Sequence, residues 1–280
     1  MKHWKGCETM ITSTANAKVK HLVNLRKKKK LRDDENIFLT EGIRMFREVP
    51  VQRLREVYVS ETFFRKEKDV MNQVLNGSGI IPEVLSDHVY TYVSDTKTPQ
   101  GILCLVEREA YGWRQMLKEP CPFLMVLDNL QDPGNLGTIV RTAEAAGVTG
   151  IILSHDSVDI YNPKTIRSTM GSVYRMPFCY VEDIVETIDR LKRAGIVVYA
   201  AHLEGHKPYE AEDYRKPCAF LIGNEGNGLR DAVAEKADTY IRIPMMGQVE
   251  SLNAAVAASV LMFETARQRR CEMFDFQRKV

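Results

Sequence analysis

At 280 residues, with 44% hydrophobic and 27% charged content, the chain has the composition of a globular protein with ample core rather than of a disordered segment. No apolar run approaches the roughly 20 residues of a membrane span, and the opening MKHWKGCETMITST lacks the apolar stretch of a secretory signal. The net charge of +2 hides an asymmetry, because residues 1–32 carry ten Lys or Arg against the single acid Glu8.

In chain order, AKVKHLVNLRKKKKL (17–31) reads as a helix with Val19, Leu22, Val23 and Leu25 on one face. Its run Lys27, Lys28, Lys29 and Lys30 is either a solvated face or a phosphate-contacting arm, and charge alone does not separate the two. NIFLTEG (36–42), REVYVS (55–60) and GILCLVERE (101–109) read as strands, and SETFFRKEKDVMNQVL as a helix capped by Ser60. This small α/β unit ends near residue 109. AYGWRQMLKEPCP (110–122), closed by two prolines and without strand alternation, reads as a linker.

From residue 123 the pattern changes to near-continuous apolar runs followed by helices: FLMVLDNL, GIILS, GIVVYAA, CAFLIGNEG and TYIRIPM. Such runs suit a mostly parallel sheet covered by helices on both faces, and ligands of such sheets sit beyond the carboxyl ends of the strands. Three strand ends qualify. In VLDNLQDPGNLGTIVRTAEAAGV (126–148), Asn135 can cap a helix that carries Arg141 and is closed by Gly147. Their ordinary alternatives are a plain N-cap for Asn135 and, for Arg141, an ion pair with Glu144 or another neighbour. In FLIGNEGNGLRD (220–231), three glycines surround Glu225 in the order GxxGxG, which is not the dinucleotide fingerprint. In IPMMGQVESLNAAVAASVLMFE (243–264), Gln248, Glu250, Ser251 and Asn253 precede an apolar helix, and Ser251 is the simplest N-cap. The six cysteines are scattered, without metal-ligand spacing. No structural metal site is expected, and reduced thiols in a cytoplasm are the simplest reading.

Together the three strand-end segments resemble the SpoU family of RNA 2′-O-ribose methyltransferases, of the SPOUT class. The three family motifs look like NLQDPGNLGTIVRTAEAAG, LIGNEGNGL and IRIPMMGQVESLNAAVAASVLMFE, in order across 123–270. KVKHLVNLRKKKKLRDDENIFLTEGIRMFREV resembles, more loosely, the ribosomal-protein-like substrate-binding domain that many members carry. The resemblance implies an RNA-binding domain at 1–109, a linker at 110–122 and a trefoil-knotted α/β methyltransferase domain at 123–280. It also implies bound S-adenosylmethionine and an obligate homodimer, with helix 252–266 buried in the knot and the subunit interface. Carried over by position, Asn135, Arg141, Glu225, Ser251 and Asn253 fall at the catalytic centre. Gly223, Asn224, Ile243, Met245 and Leu252 fall around the adenosyl group.

None of the three motifs holds a histidine, so the resemblance leaves Arg141 either as the base in a desolvated site or as a charged clamp that stabilises the developing alkoxide. Beside such a domain, Lys27 to Lys30 are expected to contact RNA, with Arg167 and Arg175 as further candidates. The expected substrate is ribosomal RNA, with transfer RNA as the alternative. A ribosome-assembly factor that kept the fold and lost catalysis is a second reading, and a nucleotide-dependent oxidoreductase a third.

Overall fold

Asn16 accepts a hydrogen bond from Lys18 N and starts the helix Ala17–Lys27, whose Val19, Leu22 and Leu25 are fully buried. In the computed structural model, which describes residues 10–277 (side chains 10–270), this helix belongs to a first unit that comprises the described residues up to 109 together with 161–174. Residues 110–160 and the described residues from 175 onward form the second unit.

The helix expected over 17–31 is interrupted. Lys28 is extended at φ −113° and ψ 107°, and a second helix runs Lys29–Glu35. The cause is Arg32, only 4% exposed, whose guanidinium folds back to donate to the carbonyls of Leu25 at 2.6 Å and Arg26 at 3.2 Å. Those carbonyls end the first helix and would otherwise lack partners. Ser60 caps as expected, accepting from Phe63 N at 3.1 Å, but that helix, too, is broken, into Glu61–Lys66 and Lys68–Leu75.

Four strands, β1 (Ile37–Glu41), β2 (Leu54–Ser60), β3 (Glu83–Leu85) and β4 (Ile102–Glu107), form a sheet in the order β1-β4-β2-β3. The β2–β3 pair is parallel and the others antiparallel. Strand β3 and the helices Ile43–Glu48 and Asp87–Val93 are too short to announce themselves by periodicity. The segment 161–174, assigned from sequence to the C-terminal domain, packs in this first unit. The Tyr161 ring lies 4.6 Å from that of Phe38, and the Arg108 guanidinium sits 4.3 Å over Tyr161.

The second unit is built on seven parallel strands: β5 (Phe123–Leu127), β6 (Gly150–Ser154), β7 (Phe178–Val181), β8 (Val197–Ala201), β9 (Lys207–Pro208), β10 (Cys218–Ile222) and β11 (Thr239–Arg242). Their order is β7-β6-β5-β10-β8-β11-β9. Every residue of β5, β6 and β10 is buried, as continuous apolar strands covered on both faces must be. Leu124, Val126, Ala219, Leu221 and Val198 pack with Ile184, Ile188 and Leu191 of the helix Ile184–Arg193. Residues 113–116, inside the expected linker, form a helical turn whose Met116 is 2% exposed and lies against Gly150, where a Cβ would collide with it.

The chain runs β5, β6, β7 towards one edge and then returns to the other side of β5. The β5–β10 boundary is therefore the switch point of the sheet, the place where open α/β folds bind ligands.

Candidate active site

Strand β5 ends at Asp128, and the turn that follows is pinned from β6. Asn129, in the left-handed region at φ 53°, donates its N–H to Ser154 Oγ at 2.8 Å, and Leu130 donates to Ser157 Oγ at 3.2 Å. The helix Pro133–Ala146 then begins, with Pro133 in its first turn and Asp132 as its cap, accepting from Asn135 N at 2.8 Å. Asn135 is therefore not the cap that the sequence suggested. It lies inside the first turn, and its amide is free to reach outward.

At the neighbouring strand end, Asn224 and Gly228 exchange backbone hydrogen bonds of 2.9 and 3.0 Å, which folds 224–228 into a closed loop. Asn224 Oδ1 accepts from Gly226 N and Asn227 N, while its Nδ2 donates to Asn129 O at 2.8 Å. A Cβ on Gly223 would strike the backbone of Gly228 and Leu229, so glycine is dictated there by the loop's own closure. Glu225 Oε1 accepts from Asp132 N at 2.9 Å and Asn135 Nδ2 at 3.0 Å, and Oε2 accepts from Gln131 N at 3.0 Å. Burial disfavours its charge, but the hydrogen bonds from Asn135 and from the backbone of Asp132 and Gln131 outweigh burial and hold the carboxyl below its ordinary range.

The third segment leaves β11 and runs through 243–253 to the helix Ala254–Gln277. Asn253, not Ser251, caps that helix: its Oδ1 accepts from Ala255 N at 2.9 Å and Val256 N at 3.3 Å. Its Nδ2 donates to Asn135 Oδ1 at 3.0 Å. One relay, Glu225 to Asn135 to Asn253, thus ties together three segments that are far apart in sequence. Gln248, Glu250 and Ser251 are exposed, and Ile243, Met245 and Leu252 are half-buried.

Arg141 stands apart from the relay. It is exposed, without a partner among the described residues, and about 120° round the helix from Asn135 at 3.6 residues per turn. Glu144, the neighbour proposed to neutralise it, is bound instead by Arg175. Arg167 pairs with Asp95 at 3.0 Å, so both of the more distal basic candidates hold carboxylates. Lys27, Lys28, Lys29 and Lys30 are all exposed, whereas Arg26, beside them, donates to the carbonyls of Val93 and Ser94.

Two features escaped sequence reasoning. Asp128 is fully buried, and its cation is Arg230, a partner 102 positions away. A carboxylate directly after five apolar strand residues was the available signal, since a buried charge demands a counter-charge. The other is the turn after β8, which sheet order sets between the ends of β10 and β11. It carries His202, whose ring lies 5.0 Å from that of Tyr240 and whose Nδ1 accepts from Glu204 N at 3.2 Å. Gly205 there lies so close to the β11 backbone that a Cβ would come within 2.6 Å of Ile241 C. Among the described residues, no cluster of side chains could hold a metal ion and no helix is long and apolar enough to cross a membrane.

Residues 122–263 match the SpoU rRNA methylase family, and residues 16–104 match the MRM3-like substrate-binding domain. The 23S rRNA (guanosine(2553)-2′-O)-methyltransferase RlmP of Bacillus subtilis is 34% identical over 255 residues, 90% of this chain and 97% of that protein. The chain belongs to the SpoU family. Among solved structures, an AdoMet-bound rRNA methyltransferase from Sinorhizobium meliloti is 32% identical, with a TM-score of 0.81 over 92% of this chain and 97% of that one. AviRb from Streptomyces viridochromogenes, solved in complex with AdoMet, is 27% identical with a TM-score of 0.81, covering 91% of this chain and all of that one. SpoU proteins use S-adenosylmethionine, and this chain is an S-adenosylmethionine-dependent RNA methyltransferase. The site fits that group: the half-buried Ile243, Met245 and Leu252 offer apolar surface, and the glycine-closed loop offers peptide groups, which together suit an uncharged adenosyl face.

Proposed function

We propose that this chain methylates the 2′-hydroxyl of a ribose in ribosomal RNA. The observation that carries this reading is the Glu225–Asn135–Asn253 relay, which fixes three strand-end segments against one another at the switch point of the sheet. When bound, S-adenosylmethionine would supply an electrophilic methyl group: the 2′-hydroxyl oxygen would bond to the methyl carbon as the carbon–sulfur bond breaks, S-adenosylhomocysteine would leave with the electron pair, and the hydroxyl proton would pass to solvent water.

The protein's part is to align the reactants and to favour the developing negative oxygen. Alignment alone supplies about 7–11 kcal/mol in well-oriented reactions. Gly223, Asn224, Ile243, Met245 and Leu252 hold the adenosyl group. Glu225 keeps Asn135 in orientation, and Asn135, Ser251 and Asn253 face the ribose. Arg141, exposed and unpaired among the described residues, acts as a charged clamp: a guanidinium keeps its proton, so it stabilises the alkoxide or a neighbouring phosphate rather than accepting the proton.

Lys27, Lys28, Lys29 and Lys30 contact the RNA backbone, with Arg167 and Arg175 near the substrate path. The knotted threading and a homodimer belong to the same reading. Val256 and Phe263, seven residues apart on the last helix, are 48% and 45% exposed, an apolar stripe that a second copy would cover. Action in the cytoplasm goes with a ribosomal substrate.

The test is to map 2′-O-methyls in RNA from cells with and without the gene. A site lost from 23S or 16S rRNA is the expected result, and a site lost only from transfer RNA would move the substrate to that class. In the purified protein, Arg141→Ala is expected to abolish methyl transfer while calorimetric binding of S-adenosylmethionine survives. Near-normal turnover by that variant would remove Arg141 from the catalytic centre.

A further inference from the structure

We infer that Arg230 is a positioning residue that sets the shape of the cofactor loop 223–229, and through it the affinity for S-adenosylmethionine. The inference deepens the proposed function and rests on its placement of Gly223 and Asn224 against the cofactor.

Asp128, at the end of β5, is fully buried. Its Oδ2 accepts from Arg230 N at 3.1 Å, and its Oδ1 accepts from Arg230 Nε at 2.9 Å and also from Nη2. Arg230 Nη1 continues to Asp156 Oδ2, at 3.0 Å, in the turn after β6. One side chain therefore straddles the ends of β5 and β6 from the loop that follows β10. Residue 230 is held by its backbone as well as its guanidinium, so the exit of the loop is fixed in position and in direction.

The entry of the same loop is fixed by the β5–β10 ladder and by Asn224 Nδ2 on Asn129 O. Between these two anchors the loop is closed by the Asn224–Gly228 backbone pair, and Gly223 lies against Gly228 and Leu229 on its far side. Releasing the exit lets Gly228 and Leu229 move away from Gly223. The peptide groups then lose their preorganisation, and each cofactor molecule must reorder them on binding. Only a planar fork reaches both carboxylates while leaving the backbone N–H on Asp128. An ammonium keeps the charge but not this geometry.

The test uses the full chain with three variants. Arg230→Lys retains a cation beside buried Asp128, Asp156→Asn weakens the outer arm alone, and the double variant Asp128→Asn/Arg230→Gln removes the buried charge pair and leaves only the half-buried Asp156 without its cation. For each, S-adenosylmethionine binding is measured by titration calorimetry, methyl transfer by kcat and KM, and unfolding by Tm without ligand. For Arg230→Lys, Kd and KM for the cofactor are expected to rise about tenfold, while kcat at saturating cofactor stays within about twofold. Asp156→Asn is expected to give a smaller rise in the same direction, and the double variant to regain Tm without regaining affinity. Wild-type affinity in Arg230→Lys, or a fall in kcat with KM unchanged, overturns the inference. Absence of cofactor binding in the wild type would instead overturn the placement of the cofactor on which it rests.

Discussion

A single asparagine carries two loads at the heart of the site. Asn253 caps the last helix through Oδ1 and holds Asn135 through Nδ2, so its two ends serve stability and geometry separately. Asn253→Ala is expected to cost about 1 kcal/mol of stability for the lost cap, read by denaturant unfolding, and to lower kcat by much more than that stability change explains. Asn253→Ser, which can still cap, is expected to recover the stability and not the turnover. Glu225 makes a pH prediction. Its carboxyl is held below the ordinary 4.5, so its tie to Asn135 is intact above pH 4.5 and is lost as the pH falls through the depressed value. The Tm difference between wild type and Glu225→Gln should be flat from neutral pH to about 4.5 and shrink below it; a difference that shrank already near pH 6 would contradict the assignment. Asn135, Glu225 and Asn253 were legible because they lie in motifs long enough to be recognised. Asp128 and Arg230 were not, because nothing local states which of many arginines answers one buried acid 102 positions away.

At the scale of elements, apolar strands declared themselves and breaks in helices did not. The runs after residue 123 locate β5, β6, β8, β10 and β11 and match the first residue of all but β8, but they overrun the ends of β5, β10 and β11 by three or four residues, and β7 is too short and mixed to stand out. The helix over 17–31 failed at Lys28, where the reason is a tertiary one: Arg32 returns to take the carbonyls of Leu25 and Arg26. Local sequence does not separate Ser251 from Asn253 as the cap, because serine and asparagine both cap well and the two lie two residues apart. The corner at Lys28 projects the four lysines into solvent at a bend. Replacing Lys27, Lys28, Lys29 and Lys30 by alanine should weaken RNA binding. It should also reduce the slope of log K against log salt by about 3, at about 0.7 per contact with single-stranded RNA. An unchanged salt slope in filter binding would return this run to the status of a solvated face.

For the molecule as a whole, sequence order and spatial grouping disagree at one place. The segment Tyr161–Tyr174 leaves the second unit and packs in the first, so the chain crosses between units three times rather than once. Reading along the sequence placed this segment with its neighbours, and only the tertiary contacts of Tyr161 with Phe38 and Arg108 reassign it. A fragment of residues 1–109 would expose the face of Phe38, now fully buried, and lose the stacking partner of Arg108. It is expected to unfold at lower denaturant than the first unit within the intact chain. Supplying residues 161–174 through a short flexible linker should restore cooperative unfolding, as followed by circular dichroism.

The same interleaving bears on how such proteins diversify. A substrate-recognition unit joined by one linker can be traded between enzymes as a cassette, by a single crossover. Here a donor that contributed only residues 1–109 would leave the recipient's own 161–174 to fit a foreign Phe38 and Arg108. Exchange must either carry both stretches at once or be followed by compensating changes in the shorter one. Fourteen residues inside the catalytic half of the sequence thus tie the history of the recognition unit to that of the methyltransferase domain.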